Sequence, residues 1–270
     1  MVLAVLMAGL GAASAHAAGC PKLKAMTPPA SSEAAPSETG SAWQVVTGIA
    51  DGALLLSGGE RLVPKGVVLP TRLNPEPEIP AQAEAAARAT LVGRTLQLGP
   101  SEQDRYGRRV ADALVLAPGG AVPLAQALLQ AGAAYADPAS LPACAGELKA
   151  AESAAHAVRA GLWASASARL DAADMDAVAA RVGLFTLVDG RVRAANSVHG
   201  LLYLNFGPRW REDVTVTLPA SSAARMSRVG LAPAILPGTF VHVRGVVNEE
   251  GGPMLALRTA AALDFEERMR

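Results

Sequence analysis

The sequence predicts a mixed α+β fold that is mainly β, organised as two consecutive small domains within 270 residues. Short apolar segments separated by glycine-containing turns recur across residues 43–116 and again after residue 183, which is the pattern of small antiparallel sheets. Alanine-rich segments without internal Gly or Pro follow the first group of strands and indicate helices. The length of the chain also agrees with two domains of ordinary size.

The first predicted domain covers residues 43–165. Its five strands are expected at residues 43–50, 53–56, 61–69, 95–98 and 110–116. Asp51-Gly52 is the expected hairpin turn between the first two strands, because Gly accepts the positive φ that such turns require. The three helices are expected at residues 81–92, 124–131 and 147–163. Five strands with three helices are typical of an OB-like barrel.

The last helix of this domain shows a helical period in its apolar residues. The residues expected to face the core are Leu148, Ala151, Ala155, Val158 and Leu162. The residues expected to face solvent are Glu152, His156 and Arg159, since they fall on the other side of the helix. No nucleophile motif accompanies His156, so we interpret it as part of a solvated helix face.

A connector over residues 166–182 leads to a second domain over residues 183–266. Its strands are expected at residues 184–188, 191–194, 201–206, 214–218, 240–247 and 254–257, with a short helix at 221–229. Asp189-Gly190 and Gly251-Gly252 are expected to be turns. A small closed barrel leaves few exposed strand edges, so it is the expected arrangement.

The N-terminal residues have the features of a signal peptide over residues 1–17. Residues 2–10 form an apolar run too short to span a bilayer, and Ala15-His16-Ala17 fits a cleavage site. An apolar N-terminal strand or helix is the alternative. Residues 18–42, rich in Pro and Ser, are expected to be a linker. We expect a periplasmic or secreted protein with no transmembrane segment in the mature chain.

The chain has two cysteines, Cys20 and Cys144. In an oxidising compartment an even number of cysteines predicts a disulfide between them. The alternative is a lipoprotein anchored through Cys20, which follows Ala17-Ala18-Gly19. Lipoprotein signals carry Leu, Val or Ile where this chain has Ala17, so we favour the disulfide.

The charges of the chain balance, with 24 basic and 24 acidic residues. A protein that binds nucleic acid without sequence preference usually carries an excess of basic residues, because neutralising phosphates supplies its affinity. The composition therefore counts against a dedicated binder of polyanions, although a local basic patch is compatible with it.

Residues 103–115 are predicted to be a tight turn followed by a strand, and they carry the candidate binding residues Tyr106 and Arg108. The Tyr106 ring is suited to stack on a base, and the guanidinium of Arg108 is suited to grip a phosphate. The alternative is structural, with Asp104 capping the turn and Arg108 paired to a local carboxylate or to carbonyls. Tyr135, Trp210 and Arg244 are further candidates for the same surface or, equally, for packing.

Three motifs resemble the staphylococcal-nuclease-like (thermonuclease) family over roughly residues 43–165. They are Asp104-Arg105-Tyr106-Gly107-Arg108 with the strand after it, the segment from Leu124 to Tyr135, and the ending Gly161-Leu162-Trp163. The later segment Tyr203-Leu204-Asn205-Phe206-Gly207 resembles the β-rich C-terminal extension of exported bacterial members. The resemblance implies the barrel fold given above.

The resemblance also implies a calcium-dependent nuclease site, which this sequence does not complete. The family uses carboxylates to hold calcium, a glutamate to activate water and two arginines to bind the phosphate. The metal-carboxylate positions correspond to Ala53 and Val68, the glutamate to Thr71, and the first arginine to Val63. Arg108 keeps the family identity, and we interpret it as vestigial.

Two functional hypotheses follow from these residues. The favoured one is an exported, non-catalytic nuclease-like protein that acts as a binding or scaffold module, with no cofactor and with weak nucleic-acid or protein binding. The alternative is a metal-dependent nuclease with a site rebuilt around Arg108, and it would use calcium. A fold resemblance alone does not transfer activity when the residues of the site are absent.

Overall fold

The computed structural model describes Cys20 and residues 42–117, 120–208, 213–228 and 232–265. The predicted signal peptide, most of the predicted linker and Trp210 lie outside these residues. The described strands are β1 Trp43–Ala50, β2 Ala53–Leu56, β3 Arg61–Pro64, β4 Val67–Val68, β5 Thr95–Gln103, β6 Arg109–Ala117, β7 Gly120–Pro123, β8 Tyr135–Ala136, β9 Leu170–Asp171, β10 Phe185–Arg191, β11 Ala194–Val198, β12 Leu201–Asn205, β13 Thr215–Pro219, β14 Phe240–Glu249, β15 Pro253–Ala256 and β16 Leu263–Phe265. The described helices are α1 Glu78–Leu91, α2 Leu124–Gln130, α3 Ala145–Ala157, α4 Met175–Ala179 and α5 Ala220–Arg228.

The first domain is a closed barrel of five strands with three helices, as the sequence predicts. Its strands follow the order β3-β2-β1-β5-β6, and the parallel pairing of β3 with β6 closes the ring. The turn at Asp51-Gly52 is confirmed, with φ values of 46° and 72°. Alternate strand residues such as Val46, Leu54 and Leu62 are fully buried in the barrel core, together with apolar residues of α1, α2 and α3.

The third predicted strand and the last predicted helix are among the elements of this barrel that differ from the sequence prediction. The expected strand at residues 61–69 is divided into β3 and β4, because Lys65-Gly66 forms a turn in which Gly66 has a φ of 85°. The expected last helix ends at Ala157, since Arg159 adopts a left-handed conformation with a φ of 53°. The prediction that Val158 faces the core is therefore wrong, and its side chain is 75% exposed. His156 is exposed, as predicted.

The second domain is also a five-stranded ring. Its pairings run β11-β12-β13-β15-β14-β10, and β10 continues into β11 after two residues, Val192 and Arg193. Their amides donate to Thr239 and Asn205 and so keep the bent strand joined to both neighbours. In the first barrel β3 and β6 pair in parallel, and α1 lies between β3 and β5 in the chain. In the second barrel β13 and β15 pair in parallel, and α5 lies between β13 and β14. The two barrels therefore share the OB order of strands.

The predicted turn at Asp189-Gly190 is wrong, because both residues lie inside β10 and pair with β14. The side chain of Asp189 contacts Arg169 at 3.2 Å and His242 at 2.8 Å. A Cβ at Gly190 would lie 2.7 Å from atoms of Ala172 and Phe206, so glycine here permits close packing. The turn at Gly251-Gly252 agrees with the prediction, and the predicted connector contains β9 and α4.

The two barrels contact each other through an apolar cluster and three ion pairs. Tyr135 and Trp163 of the first barrel pack with Phe185 and Leu187 of the second. Nη1 of Arg244 on β14 lies 2.5 Å from Oε2 of Glu152 on α3, and both side chains are almost fully buried. The prediction that Glu152 faces solvent is therefore wrong. Burial of two charges is tolerated because each neutralises the other.

The second ion pair joins Arg181 to Glu76, with 2.6 Å between Nη2 of Arg181 and Oε2 of Glu76. Arg181 precedes β10, and its guanidinium also donates to the carbonyl of Ser167 at 3.0 Å. Glu76 lies in the segment before α1 that the sequence leaves without a role. A third, partly buried pair joins Lys149 on α3 to Asp264 on β16, so three ion pairs connect the barrels.

Cys20 and Cys144 form a disulfide, as predicted, with 4.4 Å between their Cα atoms. The bond closes a loop of 124 residues and fixes the chain before β1 to the start of α3. Closing a loop of this length is expected to stabilise the fold by about 3–5 kcal/mol in the chain-entropy model. Within the part of the chain that the structure describes, no helix is long and apolar enough to cross a membrane.

Candidate functional site

The turn between β5 and β6 holds the two candidate binding residues. Asp104 Oδ1 accepts hydrogen bonds from the amides of Tyr106 and Arg108 at 2.9 and 3.0 Å. Its Oδ2 accepts a third from Arg108 Nε at 2.7 Å. Gly107 has a φ of 72°, which reverses the chain. This geometry matches the structural interpretation of Asp104 as the cap of the turn.

Burial raises the pKa of the Asp104 carboxyl, but hydrogen bonds from Arg108 and Tyr106, with the charge of Arg108, lower that pKa overall. Because the pKa of Asp104 is lowered in the folded protein, ionised Asp104 stabilises the turn at pH values above the ordinary pKa near 3.8. This stabilisation is lost as the pH falls through the folded-state pKa. The turn is therefore organised by ionised Asp104 at neutral pH.

The Tyr106 ring is the exposed part of this turn, with 66% of the residue accessible. The guanidinium carbons of Arg105 and Arg108 lie 4.8 and 5.3 Å from the ring centroid. Arg108 thus has two intramolecular contacts, to Asp104 and to Tyr106, and its side chain is 29% exposed. An exposed ring beside cations has the chemistry of a weak stacking surface.

The positions where the family places its metal ligands and base are structurally ordinary here. Ala53 is completely buried in β2. Val63 pairs with Val110 across the ring, and Val68 on β4 pairs with Tyr135. Thr71 lies beside the first hairpin turn, since a Cβ at Gly52 would be 3.2 Å from Thr71 Cγ2. None of these four side chains is a carboxylate or a base.

Asp51 is the acidic residue that remains at this hairpin, and two guanidiniums contact it. Its carboxylate oxygens lie 3.5 Å from Arg61 Nη2 and 3.9 Å from Arg72 Nε. Arg61 also donates to the carbonyl of Ala50 at 3.2 Å. The three side chains are largely exposed, so the pairing contributes little to stability. The positive charges of Arg61 and Arg72 nevertheless lie next to the carboxylate of Asp51.

The space at this hairpin is very small. The cavity bordered by Ile49, Gly52 and Pro80 has a volume of about 10 Å³, which is room for roughly one water molecule. Among the described residues, no three His, Cys, Asp or Glu side chains are grouped closely enough to hold a metal ion. Ala53, Val63, Val68, Thr71 and Arg108 are not among the residues that line this small cavity.

Residues 72–165 match the model of the family described as staphylococcal nuclease homologue. The first barrel is a staphylococcal-nuclease-like domain. The matched residues include Asp104, Tyr106 and Arg108, and they begin after the positions of Ala53, Val63, Val68 and Thr71. The match thus covers the domain from the segment before α1 to its end and does not include β1 to β4, where the resemblance places the metal ligands. No curated protein shows a significant sequence match.

Solved structures share parts of this chain at low similarity. The extended Tudor domain of Tudor-SN from Drosophila melanogaster is 20% identical with a TM-score of 0.30, over 38% of this chain and 47% of that chain. The Stn1–Ten1 complex of S. pombe is 17% identical with a TM-score of 0.24, over 31% and 58%. This chain therefore spans less than two thirds of either protein. These scores are too low to carry an argument about function.

Of the remaining candidate residues, the structure describes Tyr135 and Arg244, and it places neither at the surface of this domain. Tyr135 is 1% exposed and packs edge-on against Trp163, with 5.6 Å between ring centroids. Arg244 is 4% exposed and is bound by Glu152 and Asp264. Both residues pack between the barrels, and neither extends the surface at Tyr106.

A large cavity lies instead on the second barrel, which the sequence did not mark as a site. It is an open groove of about 1460 Å³ over β11, β12, β13 and β15. One wall comes from the first barrel, at Asp137, Ala139 and Ser140. The sequence signal was the alternation in Tyr203-Leu204-Asn205 and Thr215-Val216-Thr217, where the apolar residues are fully buried and leave the polar ones on the opposite face.

Proposed function

We propose that this chain is an exported, non-catalytic nuclease-like protein that acts as a binding module. The observation that carries the proposal is the identity of the side chains at the family's metal and base positions: Ala53, Val68 and Thr71 offer neither a carboxylate nor a base. The barrel is retained, with its strand order and its turn at Asp104, while the chemistry of hydrolysis is lost.

Calcium chemistry gives the physical reason. Ca²⁺ takes six to eight oxygen ligands, and carboxylates supply most of the binding energy. Ala53 and Val68 supply none, and Asp51 already contacts two guanidiniums. A base that activates water is equally required, and Thr71 stands in its position. Because these groups act together, the site fails as a unit when several are absent.

Export is the part of the proposal that rests on the N-terminal residues and on the disulfide. Disulfides persist in oxidising compartments such as the periplasm and the extracellular space. The bond from Cys20 to Cys144 supports a periplasmic or secreted protein. It also uses the sulfur atom that a lipid anchor on Cys20 would need, so it favours the soluble form over the lipoprotein.

A weak nucleic-acid surface at Tyr106 is a second candidate function. The exposed ring with Arg105 and Arg108 beside it supports this candidate. Stacking of one base on an aromatic side chain contributes about 1–3 kcal/mol. With balanced charge over the chain, we expect weak, salt-sensitive binding of single-stranded DNA that Tyr106→Ala abolishes.

The test of the non-catalytic proposal is a nuclease assay on single-stranded DNA, double-stranded DNA and RNA, with calcium and with chelator. We expect no cleavage by the purified mature protein above that of an Arg108→Ala preparation. Calcium-dependent cleavage that chelator and Arg108→Ala both abolish would contradict the proposal and would support the metal-dependent nuclease rebuilt around Arg108.

A further inference from the structure

The groove on the second barrel has an ordered arrangement of polar side chains. Strand pairing places Asn196, Tyr203 and Thr217 in one row across β11, β12 and β13. The neighbouring row contains Asn205 and Thr215, whose side chains are hydrogen-bonded at 3.1 Å, and continues to Met254 and Asn248. All of these residues except Met254 are neutral hydrogen-bonding groups, and all line the groove.

The charge of the groove is close to neutral. Its charged lining residues are Asp137, Arg244, Glu250 and Arg258. Arg244 is 4% exposed and neutralised by Glu152 and Asp264, so its charge is not offered to a ligand. Two carboxylates and one guanidinium remain. A polyanion binds where cations outnumber anions, and single-stranded nucleic acid also needs several stacking rings. The described lining has two such rings, Tyr203 and the half-buried Phe185, and the Phe185 ring packs against Tyr135 at the contact between the barrels.

The size and depth of the groove indicate an extended ligand. Its volume of about 1460 Å³ exceeds the roughly 300–1000 Å³ usual for a drug-sized molecule. Apolar side chains frame the polar rows, with Leu201 and Pro219 beside Tyr203 and with Val198 and Val246 each nearly half exposed. A ligand that fits combines hydrogen-bonding edges with apolar faces along several repeating units.

We propose that this groove binds an uncharged oligosaccharide of several pyranose units. Sugar hydroxyls both donate and accept hydrogen bonds, which matches the amides of Asn196, Asn205 and Asn248 and the hydroxyls of Thr215 and Thr217. The C–H face of a pyranose packs on an aromatic ring, which Tyr203 supplies. OB barrels bind oligonucleotides or oligosaccharides on this face, and the balance of charge in this groove selects the sugar.

The groove depends on the contact between the barrels. Gly66 donates its amide to Ser140 Oγ, and Ala139 donates to Asp137 Oδ1, so the loop that forms the wall is fixed to the first barrel. The buried pair of Arg244 and Glu152 joins this wall to β14 of the second barrel. The inference rests on the proposed binding function and assigns the nuclease-like domain a role as one side of the site.

Calorimetric titration of the oxidised, mature protein with a panel of neutral hexasaccharides tests the proposal: hexa-N-acetylchitohexaose, cellohexaose, maltohexaose and mannohexaose, with a dodecamer of thymidylate in parallel. We expect saturable binding of at least one hexasaccharide. Tyr203→Ala should weaken it by at least tenfold, and Tyr203→Phe should preserve most of it because the ring is kept. Thr217→Val should also weaken it, whereas the matched change Thr47→Val on the first barrel should leave it unchanged.

Each other result has a stated meaning. If no hexasaccharide binds, or if Tyr203→Ala does not alter binding, the oligosaccharide assignment is wrong. Binding of the thymidylate that Tyr203→Ala abolishes would also overturn it, while leaving the binding-module function intact. The nuclease assay tests the non-catalytic part of the proposed function independently of these titrations. Unchanged thermal unfolding of Tyr203→Ala, followed by circular dichroism, excludes a general loss of structure.

Discussion

Tyr135 lies between the two barrels with its ring packed against Trp163 and Phe185. Burial of the hydroxyl raises the pKa of Tyr135 to about 12, and this outweighs the lowering effect of the nearby Arg181 charge. The neutral phenol is therefore favoured in the folded protein relative to the unfolded chain. Because the folded pKa lies above the unfolded value of 10.0, the resulting stability is complete below pH 10 and is lost as the pH rises from 10 to about 12.

This gives a prediction about alkaline stability. Between pH 9 and pH 11, the free energy of unfolding of the wild-type protein should fall by about 1.4 kcal/mol more than that of Tyr135→Phe, which has no phenol to ionise. Urea unfolding of both proteins at the two pH values measures the difference. Equal losses in the two proteins would show that the Tyr135 hydroxyl does not titrate differently on folding.

At the same scale, some site residues are visible in the sequence and others are not. The substitutions at Ala53, Val68 and Thr71 can be read against a motif, because the motif residues are close together in the chain. Burial of Glu152 could not be predicted, since the helix period shows which residues share a face but not that a second barrel covers the polar face. Its partner Arg244 is 92 residues away in sequence.

At the scale of elements, the end of α2 and the segment Gly161-Leu162-Trp163 are in direct contact. Leu162 donates its amide to the carbonyl of Gly132 at 2.9 Å. Both Gly132 and Gly161 have positive φ, and a Cβ on either would overlap the backbone of the other segment. The close approach lets Leu162 and Trp163 enter the core, where both are buried. The glycines in this part of the family resemblance therefore have a packing reason.

We predict that Gly132→Ala destabilises the domain by about 3 kcal/mol or more, because it adds a backbone collision to the strain of a positive φ. Gly107→Ala is the matched control: Gly107 has a similar φ of 72°, but a Cβ there would meet no atom within 4 Å. It should cost about 1–2 kcal/mol. Denaturant unfolding compares the two, and equal losses would mean that the contact with Ala160 is unimportant.

Most elements were predictable from local pattern, and the failures have a common cause. The strands of the first barrel and α1, α2 and α5 follow from period and turn residues. The continuation of β10 through Asp189-Gly190 did not, because an Asp-Gly pair favours a turn locally while pairing with β14 decides otherwise. The short strand β8 was missed for the same reason, since it is defined by its pairing with β4.

At the scale of the whole molecule, two barrels of the same strand order are joined through a buried ion pair. The Glu152 carboxylate accepts hydrogen bonds from the amide of Ala136 at 2.7 Å and from Nη1 of Arg244 at 2.5 Å. Removing one member of such a pair leaves a buried charge without its partner, whereas replacing both with apolar residues removes the desolvation penalty. The contact therefore fixes the relative position of the barrels and the shape of the groove between them.

We predict that Arg244→Met lowers the free energy of unfolding by about 3–5 kcal/mol. The double variant Arg244→Met with Glu152→Leu should recover at least half of that loss. Lys65→Met, which breaks the more exposed pair with Glu102 at 3.1 Å, is the control and should cost less than about 1 kcal/mol. A double variant as unstable as the sum of its single variants would show that the two side chains are not coupled.

Our proposal is that the first, nuclease-like barrel does not bind calcium at the position where the family holds it. Calorimetric titration of the mature protein with Ca²⁺ to about 5 mM, above the 10⁻⁴–10⁻³ M range of extracellular calcium sites, tests it most directly, with Asp51→Asn as the matched variant. The account predicts no saturable binding heat at Asp51, and therefore the same titration curve for both proteins. A one-to-one calcium site in the wild-type protein that disappears in Asp51→Asn would contradict it.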